Sequence, residues 1–184
     1  DSLAWVHMTS GEDKVIIATK KGFAIRFDER DVRCMGRQAR GVRAIRLREG
    51  DEVVGMCIVD DNSHVLTVSE KGYGRLSLAD NYRLQSRGGK GIINYHTEKY
   101  GDVAAIKVVN PETDDVILVS ADGIIIRILA STIRVCARPS KGVTVMRIKE
   151  GNKLVAAACV PHDESEEAEK LEAEAINPEE EAAD

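Results

Sequence analysis

Positively charged side chains recur at fixed distances along this chain. Each distance is counted from one of three turn glycines, Gly22, Gly72 and Gly123. Eleven, fifteen and eighteen residues after each glycine stands an arginine or a lysine, which gives a set of nine cations: Arg33, Arg37, Arg40, Arg83, Arg87, Lys90, Arg134, Arg138 and Lys141. Apolar positions recur in any repeat because a core must be buried, but a recurring cation needs another reason. The spacing therefore predicts a polyanion that runs past successive repeats.

The loop of the second repeat, residues 85–91, places Arg87 and Lys90 on either side of the pair Gly88-Gly89. Glycines let a backbone approach a ligand closely, and their N–H groups can face phosphate oxygens together with the flanking cations. The loop is not a nucleotide P-loop, because a strand and not a helix follows its lysine. A purely structural turn with incidental cations is the alternative. We predict that Gly88 and Gly89 join the nine cations at the site, with further rim cations at Arg46 and Arg147.

Charge divides the chain into two regions. Asp and Glu outnumber Lys and Arg, 31 to 26, for a formal net charge of −5. From residue 162 onward, however, eleven acidic residues face one lysine, so that residues 1–161 carry a net charge of +5. This asymmetry predicts a nucleic-acid partner for the body and an acidic interaction tail after it. A tail that only confers solubility remains the alternative.

Several other classes of function find little support in the sequence. The four histidines lie in unrelated positions and no GxSxG or HExxH motif occurs, so neither catalysis nor a metal site is predicted. The cysteines follow no CxxC spacing and are predicted to be buried apolar residues: Cys34, Cys57, Cys136 and Cys159. Aromatic residues make up only 4% of the chain, which favours duplex over single-stranded DNA as the partner. No apolar run is long enough to span a membrane.

Each repeat reads as four short strands. A β-branched run, a turn at the glycine and a return strand predict a hairpin, for example residues 15–19 and 23–27. After the cationic loop, alternation over residues 42–47 predicts a third strand, and the apolar stretch 52–59 predicts a fourth. Four repeated strands predict blades of a propeller-like array.

The predicted organisation follows from these repeats. Residues 1–11 hold a strand, Leu3 to Met8, that occupies the last-strand position of a preceding blade. Three blades follow, at residues 12–60, 61–110 and 111–160. A disordered acidic tail follows them at residues 161–184. Propellers close with about four to eight blades, so we expect an incomplete array that belongs to a larger repeat domain.

Three stretches carry a resemblance to a known family. Residues 32–47 read VRCMGRQARGVRAIRL, residues 71–75 read KGYGR and residues 85–91 read QSRGGKG. They resemble the C-terminal domain of the A subunit of bacterial DNA gyrase, over residues 1 to about 160. The resemblance implies a β-pinwheel, in which an outer strand is exchanged between neighbouring blades. It also implies a basic rim that wraps duplex DNA without sequence preference. The family's box reads QRRGGKG and lies in the first of six blades, whereas here Ser86 stands second and the loop lies in the last blade but one.

The same resemblance implies a parent enzyme, an ATP-dependent topoisomerase that introduces negative supercoils. Its catalytic residues, ATP and magnesium would lie outside this chain, for which no cofactor is expected. The implied partners are duplex DNA, the rest of the gyrase A subunit and the gyrase B subunit. The implied location is the cytoplasm, at the nucleoid. Two alternatives remain at this point: the C-terminal domain of the topoisomerase IV A subunit, whose repeats are less regular, and a protein-binding propeller.

Overall fold

The computed structural model of this chain describes residues 3–162. These residues form hairpins and short turns, with one four-residue helix, α1 (Thr97–Tyr100). The strands are β1 (Lys14–Thr19), β2 (Phe23–Asp28), β3 (Val53–Val59), β4 (His64–Ser69), β5 (Tyr73–Leu78), β6 (Ile92–Ile93), β7 (Val103–Val109), β8 (Asp114–Ser120), β9 (Ile125–Leu129), β10 (Val143–Thr144) and β11 (Leu154–Pro161). The prediction of an all-β fold is confirmed. Residues 163–184 of the predicted tail lie outside the described part of the chain.

Two sheets contain a strand from the following repeat. The first has the order β3-β1-β2-β6, and in it Phe23 of β2 pairs with Ile93 of β6. The second has the order β10-β5-β4-β7, and in it Tyr73 of β5 pairs with Thr144 of β10. Each exchanged strand comes from the next repeat along the chain, so the strand exchange of a pinwheel is confirmed.

The first, second and fourth predicted strands of each repeat form as expected. Residues such as Val15, Ile16 and Ile17 prefer an extended backbone, because their branched side chains pack well on a pleated surface. The hairpin register pairs Ile17 with Ile25, and the fourth strand, β3, lies on the other side of β1. In each repeat the cationic loop follows the return strand.

Two predicted strands do not form among residues 3–162. Residues 42–47 contain no regular strand, and the equivalent segments β6 and β10 have only two residues each. The reason is that this segment pairs with the sheet of the preceding repeat, and residues 3–162 contain no sheet before the first repeat. Residues 3–8 likewise have no regular structure, with Leu3 85% and Met8 92% exposed, since no sheet is described for them to extend.

Two of the three apolar clusters in residues 3–162 join neighbouring repeats, and the third lies within the first repeat. One cluster joins Ile16 and Ala18 of the first repeat to Val65 and Val103 of the second. Another joins β4 and β5 to β8 and β11. The fourth strands pack side by side, β3 against β7 and β7 against β11. Each repeat therefore depends on its neighbour for burial as well as for a strand.

The third sheet has three strands, in the order β11-β8-β9, and one edge of β9 has no partner among residues 3–162. Ile125 on this edge is 65% exposed.

The predicted burial of the cysteines holds for only part of the set. Cys57 is buried as predicted. Cys34 is exposed, because it lies in the loop of the first repeat, which no described sheet covers.

Candidate nucleic-acid interface

The cationic loops of the second and third repeats each lie across the sheet of the repeat before. The Gln85 amide donates to the carbonyl of Arg26 at 2.9 Å, and the Cys136 amide donates to the carbonyl of Leu76 at 2.8 Å. Because these acceptors belong to the neighbouring return strand, each loop is held at a junction between two blades.

Seven of the nine predicted cations are exposed, and six of these share two positions in every repeat. The six are the cations eleven and eighteen residues after each turn glycine: Arg33, Arg40, Arg83, Lys90, Arg134 and Lys141. We call these six the rim cations. No carboxylate of residues 3–162 forms an ion pair with any of them, so their charge is not neutralised by the described part of the protein. A site for anionic groups requires unneutralised charge of this kind.

The cation fifteen residues after the glycine behaves differently. Arg87 is half-buried and donates from Nε to the carbonyl of Asp31 at 2.8 Å and from Nη1 to that of Arg43 at 3.1 Å. Arg138 is also half-buried, which lowers its pKa from the ordinary value. The third member, Arg37, is exposed. DNA contact by these three stays a prediction, but two of the guanidinium groups already bind backbone of the preceding repeat.

The predicted glycine pair has a packing role in the structure. The Gly88 amide donates to the carbonyl of Ala44 at 2.5 Å, and the Gly89 carbonyl accepts from the Arg46 amide at 2.8 Å. The first repeat therefore takes the Gly88 N–H that was expected to face phosphate, while DNA contact by Gly88 and Gly89 stays a prediction. The side chains of Arg46 and Arg147 are exposed, which agrees with their predicted place on the rim.

The cations of the third repeat line an open groove of about 820 Å³. Arg134, Arg138 and Lys141 come from the loop, and His96 and Tyr100 of the second repeat form the opposite wall. One repeat thus brings all three of its predicted cations to a single groove, beside a neighbouring blade.

Neighbouring side chains fix the backbone at the rim lysines. The Tyr95 hydroxyl donates to the carbonyl of Lys141 at 2.7 Å, and burial raises the pKa of Tyr95 to about 12. At the preceding junction Arg48 Nη1 donates to the carbonyl of Lys90 at 3.1 Å. The Lys141 ammonium lies 4.0 Å from the centre of the Tyr73 ring, which is a cation–π contact. The charge of each lysine therefore projects from a held backbone.

Sequence reasoning missed two buried arginines at the junctions. Arg26 is 3% exposed and pairs with Asp61, while its Nη1 donates to the carbonyl of Ala79 at 3.0 Å. Arg75 is fully buried and binds Ser140 and Asn94. A signal was present, because each arginine is the only cation in its return strand, inside which a charged residue must have partners.

The described residues offer no other obvious site. Among residues 3–162, no cluster of three or more His, Cys, Asp or Glu side chains could hold a metal ion. Within the same residues, no helix is both long and apolar enough to cross a membrane.

The comparisons with known proteins agree with this geometry. The family model described as the DNA gyrase C-terminal domain, beta-propeller, matches residues 13–60, 63–110 and 114–161. This chain belongs to the DNA gyrase A C-terminal domain family. Its three matched segments correspond to three copies of the family's repeat, and they contain all nine predicted cations.

Members of the family share substantial sequence with this chain. It is 41% identical over 170 residues to the DNA gyrase A subunit of Staphylococcus aureus (strain MRSA252), which covers 91% of this chain and 19% of the relative. It is 40% identical over 172 residues to the DNA gyrase A subunit of Haloquadratum walsbyi, covering 91% of this chain and 20% of that protein. The chain thus spans about a fifth of the length of these curated relatives.

Solved structures show the same fold. A structure of the DNA gyrase A C-terminal domain matches 79% of this chain and 50% of its own, with a TM-score of 0.71 and 32% identity. The C-terminal domain of DNA topoisomerase IV matches 91% of this chain and 53% of its own, with a TM-score of 0.78 and 24% identity. The second likeness shows the fold alone, whereas the family model and the curated relatives favour gyrase.

Proposed function

We propose that this chain binds duplex DNA through its phosphate groups and bends it along the rim. The observation that carries the proposal is the recurrence of the six rim cations, exposed and free of ion pairs in residues 3–162, at the same two positions of successive blades. Loops supply these cations, and no described helix is long enough to read bases in the major groove. Contacts of this kind are independent of sequence.

Bending follows from the spread of the cations. Duplex DNA has a persistence length of about 150 base pairs, so curving it around a small domain costs several kcal/mol. Phosphate contacts must be distributed along the arc to offset that cost. One pair of rim cations per blade supplies this distribution. A protein-binding propeller has no need for cations at two fixed positions in each repeat.

In the longer protein, we propose that this DNA contact supports negative supercoiling by gyrase. The names of the curated relatives support this step. The partners would be the rest of the gyrase A subunit and the gyrase B subunit, and the location would be the cytoplasm, at the nucleoid. ATP and magnesium would be bound elsewhere in that assembly. This chain would contribute the path of the DNA, not the cleavage chemistry.

We expect the affinity for duplex DNA to fall steeply as salt rises. If all six rim cations contact phosphate, the slope of log affinity against log salt approaches about −5, from about 0.9 per phosphate. Replacing Arg83 and Arg134 with Gln should make the slope shallower by about 2. Fluorescence anisotropy with two unrelated duplexes measures this.

The matched control is Arg30→Gln, since Arg30 is exposed but ion-paired to Asp28 and lies outside the cation set. It should leave the slope unchanged. A slope near zero in the unsubstituted chain, or strong preference for one of the two duplexes, contradicts the proposed function.

We also expect the acidic tail to compete with DNA for the rim. Residues 163–184 are strongly acidic, and a tethered anion has a high effective concentration beside the rim cations. The chain should be cut after His162, because the His162 amide still donates to the carbonyl of Thr113 at 2.7 Å. Removing residues 163–184 should raise DNA affinity, most at low salt.

The control keeps the tail but replaces its Asp and Glu residues with Asn and Gln, and it should behave like the shortened chain. Equal affinities of all three chains at every salt concentration would show that the tail does not compete.

A further inference from the structure

We infer that Arg87 and Arg138 are positioning residues, which set the angle between neighbouring blades and thereby align the rim cations with curved DNA. This inference rests on the proposed function. It gives these two arginines a role that differs from that of the other cations in the recurring set, with which their spacing groups them.

The first step is that the two arginines make the same pair of contacts. Arg138 donates from Nε to the carbonyl of Asn81 at 2.7 Å and from Nη1 to that of Ile93 at 2.5 Å. Asp31 and Asn81, the acceptors of the two Nε groups, each lie nine residues after a turn glycine. The acceptors of Nη1, Arg43 and Ile93, each lie twenty-one residues after it. Two junctions thus repeat one contact.

The second step concerns what each contact joins. The Nε acceptor ends the short turn after the return strand, and the Nη1 acceptor lies on the segment after the cationic loop, which in the second repeat is the exchanged strand. Ile93 belongs to β6, which pairs with β2 of the first repeat. Arg138 of the third repeat therefore holds a strand that itself lies in the sheet of the first repeat. A change at this guanidinium affects the relative placement of three repeats.

The third step is chemical. A guanidinium is planar and offers its donors in a fixed fork, so two bonds to two segments define both distance and direction. A lysine ammonium keeps the charge but has no such fork. Arg138 is further held by the Tyr82 ring, whose centre lies 5.0 Å from the guanidinium carbon. Two of its donors, on Nε and Nη1, are therefore committed to protein groups before any DNA arrives.

The fourth step connects this contact to the rim. Arg87 lies four residues after Arg83 and three before Lys90 in the same loop, and Arg138 has the same relation to Arg134 and Lys141. Each positioning arginine thus sits between two rim cations. Small errors of angle at each junction add up along the arc that the DNA must follow.

The test replaces Arg87 and Arg138 with Lys, which preserves the charge and removes the fork. The matched control replaces Arg30 with Lys, since Arg30 is exposed, ion-paired to Asp28 and outside the recurring set. Affinity is measured for a duplex short enough to contact one blade, and bending is measured at saturation by energy transfer between the ends of a longer duplex. A third measurement, without DNA, is amide hydrogen exchange at the junctions.

We expect the Arg87→Lys and Arg138→Lys pair to bind the short duplex within about twofold of the unsubstituted chain, since the rim charge is kept. Bending of the long duplex should fall clearly, and the Asn94 and Met146 amides should exchange about tenfold faster, as expected for the loss of about one net hydrogen bond. The Arg30→Lys control should change neither bending nor exchange. A role confined to general stability would not separate bending from short-duplex affinity.

Unchanged bending, or unchanged exchange at both junctions, overturns the inference. If the double variant does not fold, the single variants Arg87→Lys and Arg138→Lys give the same comparison one junction at a time. If the unsubstituted chain fails to bind DNA, the proposed function fails, while the exchange measurement still tests the contact between blades.

Discussion

Replacing Gly72 with Ala is expected to lower the free energy of unfolding by about 3 kcal/mol or more. Gly72 has a φ of +79°, and a Cβ on it would overlap the carbonyl oxygen of Met146. That oxygen is backbone that follows the strand exchanged from the third repeat, so it cannot rotate away as a side chain does. The clash is relieved only by separating β10 from β5. This separation breaks the hydrogen bonds that the Val145 and Met146 amides donate to the Gly72 carbonyl.

Gly123 provides the matched control. It is the equivalent turn glycine of the third repeat, with a φ of +86°, and a Cβ on it would have no atom within 4 Å. Gly123→Ala should therefore cost only the left-handed backbone strain, about 1–2 kcal/mol. Thermal melting of the two variants measures the difference. Equal decreases in melting temperature would mean that the exchanged strand contributes nothing at this glycine.

Replacing Arg75 with Met is expected to destabilise the second junction by about 2–4 kcal/mol, since the buried carbonyl of Asn94 and the part-buried carbonyl of Ser140 lose their donor. Arg75 is fully buried, and its Nε donates to the carbonyl of Ser140 at 3.1 Å. Its Nη2 donates to the carbonyl and to the side-chain oxygen of Asn94. Met fills a similar volume without donors, and the side-chain oxygen of Asn94 keeps a partner, the Tyr82 hydroxyl at 2.6 Å.

Arg83→Met is the control for this substitution. Arg83 is exposed in the loop that follows, so its replacement should change the free energy of unfolding by less than about 0.5 kcal/mol. For DNA affinity we expect the opposite order. Arg83→Met should weaken DNA binding more than Arg75→Met, since only Arg83 is a rim cation. Denaturant unfolding and DNA binding of both variants test this. A stable Arg75→Met chain would show that the buried arginine is dispensable.

Local sequence signals predicted the hairpins because hairpins are local. A β-branched run followed by a turn glycine fixes both strands and the turn within about fifteen residues, as in β1 and β2. The third strand shows the limit. Alternation over residues 42–47 predicts which side chains face inward, but it says nothing about which sheet the segment joins. That choice is made by packing against a different repeat.

The same limit explains the outcome for the cations. Equal spacing correctly grouped the rim cations, which are exposed, but it also grouped Arg87 and Arg138 with them. Their difference lies in carbonyl groups of Asp31 and Asn81, fifty or more residues earlier, and every residue type offers such a carbonyl. No pattern of side chains could reveal these partners. Arg26 and Arg75 were detectable only as charges inside apolar strands.

Strand exchange also sets the order in which the chain can mature as it leaves the ribosome. Phe23 pairs with Ile93, which lies seventy residues downstream, and Tyr73 pairs with Thr144, which lies seventy-one residues downstream. Because synthesis runs from the N-terminus, the hairpin of one repeat emerges long before the strand that completes its sheet. A growing chain therefore always carries one unfinished sheet, whose free edge could pair with other chains. Synthesis of the next repeat then supplies the exchanged strand that pairs with this edge.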